Sequence, residues 1–92
     1  MEKKERIEAY RKFYVEWGCG PQENVAIEEM SELIKAIMKN RRTDSNETMF
    51  NIWEEIADCL IMLEQLCYMY EISDEWLESQ MEYKIERALD LL

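Results

Sequence analysis

The fold is decided by a segment without glycine or proline, residues 47–71, which reads ETMFNIWEEIADCLIMLEQLCYMYE. Its apolar residues recur every three or four positions, the spacing of a helix. They form two roughly opposite faces, one of Ile52, Ile56, Leu60, Leu63 and Cys67, the other of Phe50, Ala57, Ile61 and Tyr68. A helix that is apolar on two sides is normally buried on two sides. The segment therefore predicts a central helix that needs neighbours on both faces.

Upstream of this segment, the chain has one clear break. Its only glycines and its only proline lie together, at Gly18, Gly20 and Pro21. Because these residues end helices or begin new ones, they predict a first helix over residues 2–17 and a second over about 21–39.

The remaining boundaries follow from capping residues. The polar residues 40–46 predict a loop, and Asp44 with Glu47 resembles a capping box at the start of the third helix. Ser73 predicts the N-cap of a fourth helix that continues to the C-terminus. No alternating strand pattern is present, so residues 1–92 predict a single all-α domain, a four-helix bundle.

The charge of the chain excludes several classes of partner. Acidic residues outnumber basic ones by 21 to 11 and there is no histidine, which gives a net charge of −10. The excess lies within residues 43–83, where every charged side chain is acidic. Binding to nucleic acid or to an anionic membrane surface needs lysine and arginine, so we expect neither partner. At 48% hydrophobic residues, the chain is also too apolar for an acidic disordered tail.

The size of the chain favours an oligomer. A domain of 92 residues buries a limited core, and we expect that three other short helices are too few to cover both faces of the third. We therefore expect a homodimer, or a tetramer built of two dimers, in which the third helix packs against its symmetry mate. The alternative is a compact monomer with an exposed tyrosine and phenylalanine patch.

The cysteines and the start of the chain indicate the compartment. The chain has three cysteines, Cys19, Cys59 and Cys67. Their odd number and unpaired spacing argue against a disulfide framework. Without a histidine or a C-x-x-C motif, a structural zinc site is not expected either. Charged residues follow Met1 in place of an apolar secretion signal. A cytoplasmic protein is the simplest expectation.

Two acidic pairs are the chemically distinctive feature of the sequence. Glu29 and Glu32 lie three residues apart in the second helix, and Glu55 and Asp58 do so in the third. Residues at this spacing share a helix face. Each pair lies on a strip that is otherwise apolar or neutral, without lysine or arginine, whereas Glu28 and similar neighbours point elsewhere.

Four carboxylates converging between two helices need a positive partner, because buried charges are paired, protonated or metal-bound. An all-oxygen site suits Mg²⁺, with Mn²⁺ as the alternative. Di-iron bundles use Glu-x-x-His, and this chain has no histidine. The competing interpretation is that both pairs belong to solvated surfaces, as most Glu-x-x-Glu pairs do.

The same residues resemble a known family. Glu28-Glu29-x-x-Glu32 followed by Glu55-x-x-Asp58 is similar to the EExxE…ExxD signature of the MazG-like nucleotide pyrophosphohydrolases, within the all-α NTP pyrophosphatase superfamily. Lys84-Ile-Glu-Arg87 resembles the K-x-x-R element of that family's last helix. The resemblance covers about residues 13–88.

The resemblance implies Mg²⁺-dependent hydrolysis of a nucleoside triphosphate, NTP or dNTP, to the monophosphate and pyrophosphate. By motif position, the metal ligands and catalytic residues would be Glu29, Glu32, Glu55 and Asp58. Lys84 and Arg87 would bind phosphate oxygens. Their alternative role is that of ordinary cations near the end of a helix, where they oppose its dipole.

Candidates for a base or sugar pocket rest on weaker signals. Gln22 and Asn51 carry amides that would hydrogen-bond a nucleotide, although Gln22 is equally consistent with a solvated polar residue. Trp17 and Trp53 would stack on a base, but the pattern favours core positions for both.

Two other functions stay open at the level of sequence. One is a non-catalytic acidic helical interaction module with the same fold, and the other is a phosphohydrolase acting on a different phosphorylated small molecule. The presence of all four expected ligands favours the nucleotide hydrolase, because a purely structural bundle does not need them.

Overall fold

The computed structural model describes all 92 residues and contains four α-helices and no strand: α1 (Lys3–Trp17), α2 (Cys19–Thr43), α3 (Asn46–Met69) and α4 (Asp74–Leu89). The predicted all-α class is thereby confirmed. None of the four helices combines the length and the apolar composition needed to span a bilayer.

The second helix is longer than the sequence pattern predicts. The predicted loop over residues 40–46 is too long: α2 runs on to Thr43, Asp44 ends it with a left-handed backbone, φ 49°, and only Asp44 and Ser45 lie between the two helices. Arg41 and Arg42 lie in the last turn. Basic side chains are favourable there, since the C-terminal end of a helix carries partial negative charge.

The cap of α3 is one residue further along than predicted. Ser45 Oγ accepts a hydrogen bond from the Thr48 amide (3.1 Å), and Thr48 Oγ1 accepts one from the Ser45 amide (3.0 Å). The predicted capping box of Asp44 and Glu47 is therefore wrong. The Thr48 hydroxyl also donates to Asn40 Oδ1 at 2.6 Å, which ties the start of α3 to the end of α2.

The antiparallel hairpin of α2 and α3 is the centre of the fold. The side chains buried between these helices include Gln22, Ala26, Ala36, Cys59 and Met62. Ala26 and Ala36 let the two backbones approach closely, because their side chains take up little room. The strips predicted to carry the acidic pairs are the ones that meet in this contact.

The first helix packs across the open end of the hairpin. Arg6 donates to both carboxylate oxygens of Glu64 (2.6 and 3.1 Å), and the Tyr10 hydroxyl donates to Glu64 Oε1 at 2.6 Å. The Arg6 hydrogen bonds lower the pKa of Glu64, whereas burial and the Glu64 carboxylate raise the pKa of Tyr10 to about 12. The Tyr14 hydroxyl donates to the Gln65 carbonyl oxygen (2.8 Å). These bonds fix α1 against the second half of α3.

The apolar faces predicted for α3 both lie open in the single chain. Ile56 and Leu60 on one face, and Phe50 and Ile61 on the other, are exposed. Only 8 of the 92 residues are buried in the chain as a whole. The predicted burial of α3 on two sides is therefore not achieved within one copy.

The fourth helix stands away from the other three. Ser73 accepts a hydrogen bond from the Trp76 amide, 3.1 Å, so its predicted role as N-cap is confirmed. No residue of α4 is buried, and the helix packs on none of the others. An ion pair between Lys3 and Asp74 ties its first residue to α1.

A buried amide pair gives a stability prediction. The Gln22 amide donates to Gln65 Oε1 at 2.9 Å, and both side chains are buried. Gln65→Met should destabilise the fold by about 1–3 kcal/mol, because it leaves the Gln22 amide without its partner. Changing both residues to methionine should recover most of that loss. Urea unfolding at one protein concentration measures both effects, and a single variant as stable as the wild type would contradict the prediction.

Candidate metal centre

The centre of the helical hairpin carries a cluster of three carboxylates. Glu55 and Asp58 share the face of α3 that meets α2, and Glu29 lies opposite them on α2. Each residue has a carboxylate oxygen within 4.8 Å of the others. The register is held by Cys59, whose thiol donates to the Glu29 carbonyl oxygen with an Sγ–O distance of 3.4 Å.

The cluster contains more negative charge than its surroundings compensate. Glu29 and Glu55 are half-buried, and Glu55 Oε2 is a buried oxygen without a hydrogen-bond partner. Burial, together with the charges of Asp58 and Glu55, raises the pKa of Glu29. Burial and the same carboxylates raise the pKa of the Cys59 thiol. A carboxylate oxygen that is neither solvated nor hydrogen-bonded is costly, so the site has the electrostatics of a cation-binding cluster.

The donor set suits a hard divalent ion. Glu29, Glu55 and Asp58 supply oxygen atoms only, which Mg²⁺ and Mn²⁺ prefer. All three project from long helices, so their positions are set by the packing of α2 on α3. Mg²⁺ usually keeps several waters or binds substrate phosphates in addition to one or two carboxylates.

The fourth predicted ligand is placed differently. Glu32 lies on α2 one turn after Glu29, but its carboxylate pairs with Lys35 at 3.4 Å and is exposed. It does not join the three-carboxylate cluster. Its charge still contributes to the raised pKa of Glu29. The structure thus brings together three of the four predicted ligands, and the ligand role of Glu32 stays a prediction.

The two predicted amide contacts lie on either side of the cluster. Asn51 is half-buried one turn before Glu55 and lines a cavity of about 390 Å³ with Lys39 and Thr48. Gln22 is buried on the other side and already bonds Gln65. Asn51 is thus one helical turn from the cluster, whereas Gln22 is about two turns from Glu29.

The predicted phosphate contacts are not at the cluster in the single chain. Lys84 and Arg87 are exposed on α4, which packs on neither α2 nor α3. The Arg87 guanidinium lies over the Tyr83 ring of its own helix, 5.8 Å from the ring centroid.

An open groove next to the cluster was missed at the level of sequence. It measures about 640 Å³ and is lined by Phe13, Trp17, Pro21, Gln22, Val25, Met62 and Gln65. The rings of Phe13 and Trp17 stack with centroids 5.2 Å apart. Met62 lies one turn from Asp58, and Gln65 follows on the same helix. The strip of α3 with Met62 and Gln65 could be identified from the sequence. No sequence signal indicated that α1 brings Phe13 next to it.

The tryptophan positions also differ from the prediction. Trp17 and Trp53 are exposed in the single chain, so the core placement favoured by the pattern is wrong for one copy. Trp17 lines the groove, and Trp53 packs edge-on against Phe50 on the outer side of α3.

The cluster predicts stabilisation by magnesium. An ion that binds only the folded state at ten times its dissociation constant stabilises it by about 1.4 kcal/mol, or roughly 6–11 °C in melting temperature for a domain of this size. The gain should be larger at pH 8 than at pH 5, since protons compete for a cluster in which the pKa of Glu29 is raised. Thermal melting with MgCl₂ against NaCl of equal ionic strength tests this. Unchanged melting at millimolar Mg²⁺ would count against the site.

In comparisons with known proteins, no protein-family model, no curated protein and no solved structure matches the chain.

Proposed function

We propose that this protein is a Mg²⁺-dependent nucleoside triphosphate pyrophosphohydrolase of the MazG-like type. The reaction converts a nucleoside triphosphate and water to the monophosphate and pyrophosphate. The observation that carries the proposal is the unpartnered, buried Glu55 oxygen within the cluster of Glu29, Glu55 and Asp58. Such an oxygen costs a purely structural contact between α2 and α3 free energy, whereas a bound cation would satisfy it.

The hairpin residues would perform the binding and proton steps. Glu29, Glu55 and Asp58 would hold the ion, and Glu32 would complete the set by leaving Lys35. The bound Mg²⁺ supplies charge neutralisation for the phosphates and polarisation of their oxygens. A carboxylate oxygen of the cluster would accept a proton from the attacking water. Attack at the α-phosphorus breaks its bond to the bridging oxygen, and pyrophosphate leaves.

The groove beside the cluster suits the nucleoside part of such a substrate. Its aromatic wall of Phe13 and Trp17 offers a surface for stacking, and the bonded amide pair of Gln22 and Gln65 lines it. The groove begins one helical turn from Asp58, so a base held there would leave its phosphates near the carboxylates. Asn51, on the opposite side, is the candidate contact for the distal phosphates or the sugar.

A homodimer would complete the core. A folded monomer of 11.2 kDa has an accessible surface of about 5,700 Å², whereas this chain exposes 7479 Å². The difference, roughly 1,800 Å² per chain, falls in the range that obligate dimers bury. Trp53, Ile56 and Leu60 lie along one exposed strip of α3. This strip would pack against its symmetry mate, and we call the resulting contact the α3 seam. Assembly would also allow Lys84 and Arg87 to approach the phosphates, which their own chain does not permit.

Pyrophosphate release tests the proposed reaction. The purified protein is incubated with a panel of NTPs, dNTPs and modified nucleotides in the presence of Mg²⁺, Mn²⁺ or EDTA. We expect metal-dependent release from at least one of them and none in EDTA. Absence of metal-dependent release across the whole panel would refute the proposed function.

A further inference from the structure

The fourth helix carries an apolar strip that nothing in its own chain covers. Leu77, Met81 and Ile85 follow one another at four-residue spacing and therefore share one face of α4. Met81 and Ile85 are 55% and 58% exposed. Since α4 packs on none of the other helices, the strip is free along its whole length.

One flank of this strip is entirely acidic. Each residue of the strip is followed by a glutamate, which places Glu78, Glu82 and Glu86 side by side along the same edge. All three are exposed and none forms an ion pair. The basic residues of α4, Lys84 and Arg87, do not interrupt this edge, because helical geometry puts them on the other side of the strip.

The second half of α2 is the complementary surface. Its outward side is apolar, with Ile34 63% exposed and Ile37 and Met38 also exposed. The neighbouring edge carries three basic residues, Lys35, Lys39 and Arg42, and begins at Glu32, which pairs with Lys35. The first helix meets α2 near its beginning, at Cys19 and at residues 21–25. The half of α2 that carries the basic edge is therefore open.

The geometry of the two surfaces sets the direction of the contact. Viewed from the N-terminus of each helix, the charged edge lies on the same rotational side of the apolar strip. Two such helices bring their charged edges together only when they run antiparallel. The 16 residues of α4 span about 24 Å, close to the length of α2 beyond residue 26.

We propose that α4 of one chain docks antiparallel on the second half of α2 of a second copy, with the acidic edge against the basic edge. The inference rests on the proposed homodimer and adds a second contact to the α3 seam. Under two-fold symmetry the contact forms twice, and it accounts for part of the excess exposed surface. It also explains why the charge of the chain is so unevenly divided, since the acidic stretch then meets the basic end of α2.

Charge reversal of each edge tests the contact. The acid-reversed variant is Glu78→Lys/Glu82→Lys/Glu86→Lys, and the base-reversed variant is Lys35→Glu/Lys39→Glu/Arg42→Glu. Each alone places like charges together, so its dimer dissociation constant should rise at least about tenfold at low salt. Analytical ultracentrifugation measures the constant, and circular dichroism checks that the helices persist. If only net charge mattered, the acid-reversed variant would dimerise more tightly than the wild type, because its substitutions make each chain less negative. That is the opposite of the result expected here.

Mixing the two variants separates docking between chains from docking within one. In the mixed dimer one contact pairs lysine with glutamate and the other is native, so equimolar mixing should restore wild-type association. If either variant alone dimerises as tightly as the wild type, the contact does not exist. A third variant carries all six substitutions in one chain. If this variant regains wild-type association but the mixture of the two triple variants does not, α4 folds on α2 of its own chain and the proposal is wrong. Both outcomes concern association alone; the α3 seam is tested separately by Leu60→Asp, and the proposed reaction by pyrophosphate release from the wild-type protein.

Discussion

Glu55→Gln is expected to reduce pyrophosphate release at least about 100-fold, because it removes a charged ligand from the carboxylate cluster; changes to groups that merely support a ligand already cost 10–100-fold. Glutamine keeps the size and the helical propensity of glutamate. The helical content should therefore survive. The stability of the metal-free protein should hold or rise, because one of three close negative charges is gone.

A glutamate far from the cluster is the matched control. Glu16 is exposed on α1 and forms no ion pair, so Glu16→Gln makes the same chemical change away from the proposed site. This variant should keep wild-type activity and wild-type stabilisation by Mg²⁺. Full activity of Glu55→Gln, measured beside it, would show that the metal assignment is wrong.

Leu60→Asp is expected to separate the proposed dimer. Leu60 is 61% exposed on the outer strip of α3, and the α3 seam would bury it once from each chain. Losing two leucine side chains from an interface removes about 3–6 kcal/mol, which weakens association at least about 100-fold. Light scattering after gel filtration should show a monomer for the variant and a dimer for the wild type.

Val15→Asp controls for the added charge. Val15 is 76% exposed on α1 and outside the proposed seam, so this substitution changes an exposed aliphatic residue to the same acid without affecting assembly. If Leu60→Asp and Val15→Asp associate equally tightly, the strip of α3 is not the dimer seam.

The helices could be predicted from the sequence because their signals are local. Apolar spacing and the break at Gly18 to Pro21 defined the helices, and Ser73 capped α4 as expected. The end of α2 could not be predicted, because it depends on a contact between helices. Asn40 accepts a hydrogen bond from Thr48, and this tertiary bond outweighs the polar, loop-like composition of the segment.

The cluster could be predicted for the same reason. Three-residue spacing puts Glu55 and Asp58 on one face whatever the rest of the chain does, and a short connection makes α2 and α3 antiparallel neighbours. The position of the Glu32 carboxylate could not be predicted, because helical spacing does not show whether an exposed side chain pairs with Lys35 or joins the cluster. The groove could not be predicted either, since Phe13 lines it only because α1 packs there.

The distribution of the apolar residues of α3 was predicted, but their environment was not. The sequence shows two apolar faces, and the face that actually meets α2 is the mixed one with Asn51, Glu55 and Met62. Helical periodicity identifies a face but not the partner that covers it. Both apolar faces of α3 are exposed in the single chain, so a partner that covers them would have to come from outside it.

Direct titration with Mn²⁺ is the most immediate test of the metal centre, because it needs no knowledge of the substrate. Electron paramagnetic resonance follows the loss of the free Mn²⁺ signal as protein is added. The carboxylate cluster predicts saturable binding of at least one ion per chain, competition by Mg²⁺, and loss of binding in Glu55→Gln but not in Glu16→Gln. A free Mn²⁺ signal that stays unchanged at millimolar protein, or equal binding by both variants, would contradict it.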